Sequence, residues 1–202
     1  RNRKVELVKD LKEALQNKGI IFTMLMFFLI QVCVMLLQPL ITMYVGQLMG
    51  KVDDEAVQMA GIIFSLAGIS GILAAPFWGK RGQQYGYVRT FCYITMGAGV
   101  VNLFQFFTTD VYQFAVVQFV YGLFLAGAIP NINANLADVT DQSIRGKAFG
   151  LVTSAQMAGG FVGPLLGGAL GHVLPTRLVI ICAGVILIVM SVFTYINKVK
   201  AK

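Results

Sequence analysis

The chain has 202 residues and a net charge of +7; 57% of its residues are hydrophobic and only 12% are charged. Soluble domains are about 45–50% apolar and about 25% charged, so no water-soluble fold could bury this much apolar surface. The basic residues lie between apolar runs instead of clustering on one face of a soluble body. We therefore expect an integral membrane protein with no nucleic-acid partner.

Residues 1–18 differ in kind from the rest of the chain. Their charged residues alternate with apolar residues at helical spacing, namely Val5, Val8, Leu11 and Leu15. This pattern predicts an amphipathic helix in a cytoplasmic linker. The helix could lead directly into the first span, lie on the membrane surface or pack under the bundle, and the pattern leaves all three open. The chain begins at Arg1 without the features of a signal peptide, so we expect the linker to continue a longer protein.

Six runs without a charged residue follow, each 20 residues or longer. A charged side chain at mid-membrane costs about 2.5–3.5 kcal/mol on insertion scales, so each run predicts one transmembrane helix. The alternating pattern of a membrane β-barrel is absent from the sequence. The predicted domain is 19–197, with spans at about 20–46, 57–79, 90–109, 112–136, 148–172 and 177–197.

Lysine and arginine are distributed unequally between the two sides of this predicted bundle. Six crossings place both termini on one side, and all of the sixteen Lys and Arg residues except Lys51 and Arg177 fall there. Basic residues are retained preferentially in cytoplasmic segments. Both termini, including the basic tail 198–202, are therefore predicted to be cytoplasmic.

One face of the first predicted span carries polar and soft side chains. Gln31, Met35 and Gln38 fall in one stripe at helical period, and Phe27 flanks it. Amides in a membrane helix turn toward the bundle interior or a water-filled cavity, so we predict that these four residues line a substrate cavity. The alternative is that the glutamines bond across helices and hold the bundle together.

In the fourth predicted span, Asn131 and Asn135 share a face just after Pro130. Proline interrupts the helical hydrogen-bond ladder. The two amides are therefore predicted either to contact substrate from the cavity wall or to satisfy the backbone groups that the proline frees.

Other polar residues of the spans are assigned from their positions. Gln156 in the fifth span is a further cavity candidate, as are Gln118 and Tyr121 in the fourth. Asn102 and Gln105 stand three residues apart in the third span and are predicted to bond each other.

The fifth predicted span has glycines on one face at every fourth position, which are Gly159, Gly163, Gly167 and Gly171. Such a stripe lets another membrane helix approach closely. Pro164 lies inside the stripe and removes one hydrogen bond of the helix. The residues alone predict a kinked and tightly packed helix.

The spans carry no Asp, Glu, Lys or Arg away from their ends, so this sequence contains no expected proton carrier. Enzyme motifs are absent, and a single His cannot supply a set of metal ligands. Three cysteines within apolar runs are expected to be ordinary buried thiols. No catalytic residue, metal or cofactor is predicted.

Two motifs resemble those of a known family. The segment Gly159-Gly160-Phe161-Val162-Gly163-Pro164-Leu165-Leu166-Gly167-Gly168 matches G-x-x-x-G-P-x-x-G-G. It resembles the fifth helix of drug/proton antiporters of the major facilitator superfamily. The basic loop from Gly79 through Gly86 to Arg89 resembles, less closely, the motif between the second and third helices of each half of these transporters. Glutamine stands at its acidic position, Gln83.

This resemblance implies an all-α membrane fold whose six helices form one half of a twelve-helix transporter. The partner would be the N-terminal six-helix half of the same protein. The first and fourth helices would face a central cavity, and the third and sixth would face lipid. The resemblance further implies that Gly159, Gly163, Pro164, Gly167 and Gly168 form a gating bend between the halves.

The implied function is proton-driven export of small hydrophobic, often cationic, compounds from a bacterium through its plasma membrane by alternating access. The coupling carboxylate would lie outside this chain. Two alternatives remain open from the residues. One is a facilitator or symporter for a sugar or amino acid, and the other is a membrane scaffold or sensor that transports nothing.

Overall fold

The computed structural model describes residues 16–199. Most of the predicted linker helix in residues 1–18, and the last three residues of the tail 198–202, lie outside this range. Within it the protein is all-α, and six helical segments are long and apolar enough to cross a membrane. The predicted fold class is therefore confirmed.

The six spans comprise seven α-helices, because the fourth span is broken. Their bounds are α1 Lys18–Met49, α2 Asp54–Tyr85, α3 Tyr87–Phe104, α4 Val111–Leu125, α5 Ala128–Val139, α6 Arg145–Val173 and α7 Thr176–Thr194. A 3-10 turn, Gln105–Phe107, extends the third span, and a π-helical turn, Tyr195–Val199, extends the sixth. Side-chain caps begin three helices at the expected residue types, which are Asn17, Asp53 and Asp110.

The basic segment after the second apolar run is not a loop, and the prediction of a loop there was wrong. α2 continues through it to Tyr85, and Gly86 alone makes the connection with φ +90°. Lys, Arg and Gln are good helix formers, so the helix does not end where the apolar run ends. The guanidinium of Arg81 lies 5.2 Å from the centre of the Phe77 ring and 5.3 Å from that of Tyr85, which supports this last turn.

Contacts across the bundle define its two ends. At the terminal end, where residues 18 and 199 lie, the Thr194 hydroxyl donates to Sδ of Met26 at 3.4 Å. At the opposite end, the hydroxyls of Tyr44 and Thr108 are 3.3 Å apart. An apolar core cluster occupies each end, and α1 contributes to both. α1 is therefore the central element of the bundle.

Three pairs of helices pack closely: α1 with α6, α3 with α7, and α2 with α4. The second and fifth spans are the least covered. Only 22% of the most apolar stretch of α2 and 17% of that of α6 are buried, against 39–50% in the other four spans. Within the described residues, the outer faces of α2 and α6 are thus open to lipid or to another helical body.

Candidate functional site

A cavity of about 400 Å³ opens between α1, α2, α4 and α5. Gln31, Met35 and Gln38 of α1 lie in its wall, and Gln118 and Tyr121 of α4 lie opposite. The remaining lining residues are apolar or glycine, and none of the lining residues is charged. Such a wall accepts apolar molecules, and the few amides can orient them.

Four residues that we predicted for a substrate cavity are not among the residues that line this cavity. Phe27 is 2% exposed and belongs to the core cluster at the terminal end. Along α1, the cavity begins at Ile30. Phe27 lies on the same face of α1 as Gln31, but one helical turn closer to the terminal end, so it does not reach the cavity. Asn135 and Gln156 are half-buried outside the lining, and Asn131 is buried elsewhere.

Gln31 both lines the cavity and bonds to another helix, the two roles between which the sequence did not decide. It lines the cavity, and its Oε1 accepts a hydrogen bond from Nε2 of Gln156 at 3.3 Å. Gln156 lies on α6, so this bond also joins α6 to α1. A polar residue of the cavity wall thus helps to hold the bundle together.

The break in the fourth span falls at residues 126–127, before Pro130. Proline cannot donate to the carbonyl four residues earlier, and its ring clashes with that carbonyl, which here belongs to Ala126. The N–H of Gly127 bonds to the carbonyl of Phe124 at 3.3 Å, which leaves the carbonyl of Leu123 without its helical partner. Nε1 of Trp78 on α2 donates to this carbonyl at 2.7 Å.

Asn131 lies on α5, just after the same break, and its side chain also bonds to backbone carbonyls. Its Nδ2 donates to the carbonyl of Gly127 at 2.8 Å and to that of Trp78 at 3.3 Å. The Gly127 carbonyl also accepts the helical bond from the N–H of Asn131 at 3.2 Å, and the Ala126 carbonyl that the proline frees is not a partner of Asn131. Asn131 thus joins α5 to α2 instead of replacing the bond that the proline removes. Sequence reasoning missed Trp78, although its position as the single tryptophan in a membrane helix was a signal.

A chain of buried amides leads from the third span to the cavity. Nδ2 of Asn102 donates to the carbonyl of Ile180 at 3.4 Å. Nε2 of Gln105 donates to Oδ1 of Asn102 at 2.8 Å, which confirms the predicted pair. The same nitrogen lies 3.4 Å from Oε1 of Gln118 in the cavity wall. The amide chain connects α7 to α4 through the interior of the bundle.

The glycine face of α6 packs against the backbone of α1. A methyl group added to Gly163 would lie 2.7 Å from Cβ of Met35 and 3.0 Å from the carbonyl oxygen of Val32. One added to Gly159 would lie 2.5 Å from the carbonyl oxygen of Phe28. Contacts this short exclude a side chain, so the helices approach closely only because these residues are glycine.

Gly167 of the same motif joins this contact, because a methyl group added to it would overlap the carbonyl oxygen of Leu36. Two other residues of the motif do not. Pro164 and Gly168 are exposed on the outer face of α6, and a methyl group added to Gly168 would meet nothing within 4 Å. Gly79 likewise borders open space, and Arg89 is exposed. Gly86 is explained by its positive φ.

Charged side chains lie at helix ends, away from the cavity. At the opposite end, Lys51 pairs with Asp53 at 3.7 Å and bonds to Glu55. The hydrogen bond that Lys51 donates to Glu55 raises the pKa of Lys51. Nη2 of Arg177 donates to the carbonyl of Thr108 at 3.2 Å. These electrostatic contacts lie at the connections between helices.

Comparison with known proteins identifies the family. The model of the Major Facilitator Superfamily matches residues 21–202. The chain belongs to this superfamily. Its six spans make one half of a major facilitator fold, and the protein is an integral membrane protein.

Curated relatives of this superfamily include multidrug resistance proteins. The protein MdtG of Yersinia enterocolitica is 28% identical over 180 residues, which cover 89% of this chain and 43% of the relative. MdtG of Serratia proteamaculans is 33% identical over 158 residues, 75% of the chain and 37% of the relative. The uncharacterized MFS-type transporter YuxJ of Bacillus subtilis is 32% identical over 145 residues, which cover 72% of this chain and 36% of the relative. The chain therefore spans about two fifths of the length of these relatives.

Proposed function

We propose that this chain is the C-terminal half of a secondary transporter that exports small hydrophobic, cationic compounds in exchange for protons. The apolar cavity with a few amides carries the proposal, because it fits ligands of varied shape and offers no charged partner that would select a polar metabolite. The names of the relatives, multidrug resistance proteins, support the same substrate class.

The partner is proposed to be a second six-helix body packed on the outer faces of α2 and α6. These are the least covered spans, and α2 itself borders the cavity. Exposed glycines lie on both helices, among them Gly61 on α2 and Gly150 and Gly168 on α6. Small residues favour close contact between membrane helices. The halves would rock about the cavity and expose it to each side in turn.

The proton is proposed to bind a carboxylate of that partner. The acidic residues within the described range lie at helix ends or in loops, as Asp110 and Asp138 illustrate. Proton coupling needs a titratable group in the membrane, where desolvation can move its pKa. The distribution of Lys and Arg supports a terminal end that faces the cytoplasm. The bacterial relatives support a bacterial plasma-membrane location.

The test is transport by the complete transporter in everted membrane vesicles. We expect a lipophilic cationic dye to accumulate inside the vesicles when a proton gradient is imposed, and to leave when the gradient is collapsed. Gln38→Leu in the cavity wall should reduce accumulation, whereas Gln47→Leu, at an exposed position on the same helix and outside the cavity lining, should not. Accumulation that ignores the gradient, or no accumulation at all, would contradict the proposal.

A further inference from the structure

Two amides of the cavity wall use their oxygens outside the cavity. Oε1 of Gln118 accepts from Gln105, and Oε1 of Gln31 accepts from Gln156. Neither Gln105 nor Gln156 lines the cavity. The NH₂ groups of Gln118 and Gln31 are left for the cavity itself, so the wall offers hydrogen-bond donors.

The orientation of the Gln118 amide is set by a chain of hydrogen bonds that begins at a backbone carbonyl of α7. The carbonyl of Ile180 can only accept, so Asn102 must turn its nitrogen toward it and its oxygen toward Gln105. Gln105 then turns its nitrogen toward both Asn102 and Gln118. Reversing any one amide would bring two acceptors or two donors face to face. The backbone carbonyl of α7 thus determines which end of the Gln118 amide faces the cavity.

The donor of Gln118 lacks a partner of its own. Gln118 is 4% exposed, and among residues 16–199 its amide nitrogen has no hydrogen-bond partner. A donor in such an apolar wall is satisfied only by water or by a ligand that carries an acceptor. Its free direction is into the cavity, since its oxygen is held from behind.

We propose that the cavity selects apolar ligands that carry a hydrogen-bond acceptor, such as a carbonyl or ether oxygen, and that Gln118 donates to it. On α1, the oxygen of Gln31 is likewise bonded outside the cavity, to Gln156. Asn102 and Gln105 are positioning residues that hold the Gln118 amide in its donating orientation. This inference rests on the proposed function for its substrate class, hydrophobic cations, and adds the chemical group that the cavity recognises.

The test compares two probes that differ in one acceptor. These are para-acetylbenzyl and para-isopropylbenzyl triphenylphosphonium, which match in charge and size. Dissociation constants are measured by equilibrium dialysis with the purified complete transporter. Gln118→Leu and Gln118→Met should each weaken binding of the acetyl probe about tenfold, the loss of roughly one hydrogen bond, and change the isopropyl probe less than twofold.

The positioning role is tested with the same probes. Asn102→Leu should reduce the ratio of the two probes' dissociation constants about threefold, because the amides of Gln105 and Gln118 can then reverse. Gln47→Leu, an exposed glutamine outside the cavity lining, is the control and should leave both constants unchanged. An Asn102→Leu protein that keeps the full difference between the probes would refute the positioning role.

Binding and transport separate the two proposals. If the Gln118 variants weaken both probes equally, or neither, the donor assignment is wrong, while dye export in vesicles can still establish the proposed function. If the acetyl preference depends on Gln118 but no dye follows the gradient, the proposed function fails and the donor assignment stands. If the unaltered transporter binds neither probe, or binds both equally, the donor assignment is wrong, and the vesicle assay decides the proposed function separately.

Discussion

Two junctions hold this bundle by opposite means. Where α1 meets α6, side chains are absent, and Gly159 and Gly163 lie directly on the backbone of the other helix. Where α2 meets the broken fourth span, the side chains of Trp78 and Asn131 donate hydrogen bonds to backbone carbonyls. Between membrane helices, apolar burial gives little driving force, so close packing and polar bonds must supply the association.

The contrast predicts different consequences of substitution. At the glycine junction, any added atom overlaps the backbone of α1, which cannot move without moving a helix. At the polar junction, a lost side chain leaves a carbonyl without a partner but creates no overlap. We therefore expect the glycine junction to tolerate substitutions less well than the polar junction.

The largest effect is expected from Gly163→Leu. Its Cβ alone would lie 2.7 Å from Met35 and 3.0 Å from Val32, so α1 and α6 must separate. We expect a loss of about 3 kcal/mol or more, at the upper end of overpacking effects. Thermal unfolding of the detergent-purified transporter measures it, with Ala169→Leu, a small-to-large change at an exposed position of the same helix, as the control. Equal melting temperatures for the two variants would refute the glycine junction.

A smaller effect is expected from Trp78→Phe. The variant keeps an aromatic ring but removes the donor to the Leu123 carbonyl, whose helical partner bonds elsewhere. A buried group left unsatisfied costs about 1–3 kcal/mol. The same unfolding assay checks it, and Phe193→Leu, an exposed aromatic on α7, is the control. A Trp78→Phe protein as stable as the control would show that the Leu123 carbonyl finds another partner.

Ser191→Ala should cost less again. The hydroxyl of Ser191 donates to the carbonyl of Cys92 at 2.7 Å and joins α7 to α3. That carbonyl also lies 3.3 Å from the Thr95 hydroxyl in an unbroken helix, so it is not orphaned by the substitution. Polar bonds between membrane helices average about 0.6 kcal/mol, and we expect a loss near that value. A loss as large as that of Trp78→Phe would mean that broken and intact helices depend equally on such bonds.

The smallest effect is expected from Lys51→Met. Lys51 pairs with Asp53 and Glu55 at an exposed helix start, and exposed ion pairs contribute little. The melting temperature should not change measurably, and added salt should not alter this result. A clear loss of stability would place this pair among the junctions of the bundle.

Much of the fold could be predicted from the sequence. The number of spans follows from the runs between charged residues, and the glycine face follows from a four-residue spacing. Both signals are local, because insertion cost and helical period act along one segment. The helical course of residues 79–85 was missed, since the loss of apolar residues was read as the end of the helix, although helix formers continue there.

The candidate site could be predicted less well. Gln31 and Gln38 were assigned by their helical face, but the face does not say at which level of the bundle a cavity opens, and Phe27 falls one turn below it. Gln105 and Gln118 belong to different helices, so no spacing along the chain relates them. Their pairing depends on how α3 and α4 are placed in the bundle.

The sequence by itself determined that this is a six-span membrane protein with a charge-free interior and one helix face without side chains. These properties depend on residue type and on distances within one helix. Only the tertiary structure decided that Trp78 supplies the donor for a broken helix, that the glycine face meets α1, and that the oxygen of the Gln118 amide accepts from Gln105. Each of these depends on a group brought from another helix, and a hydrogen bond or steric contact exists only once both helices are in place.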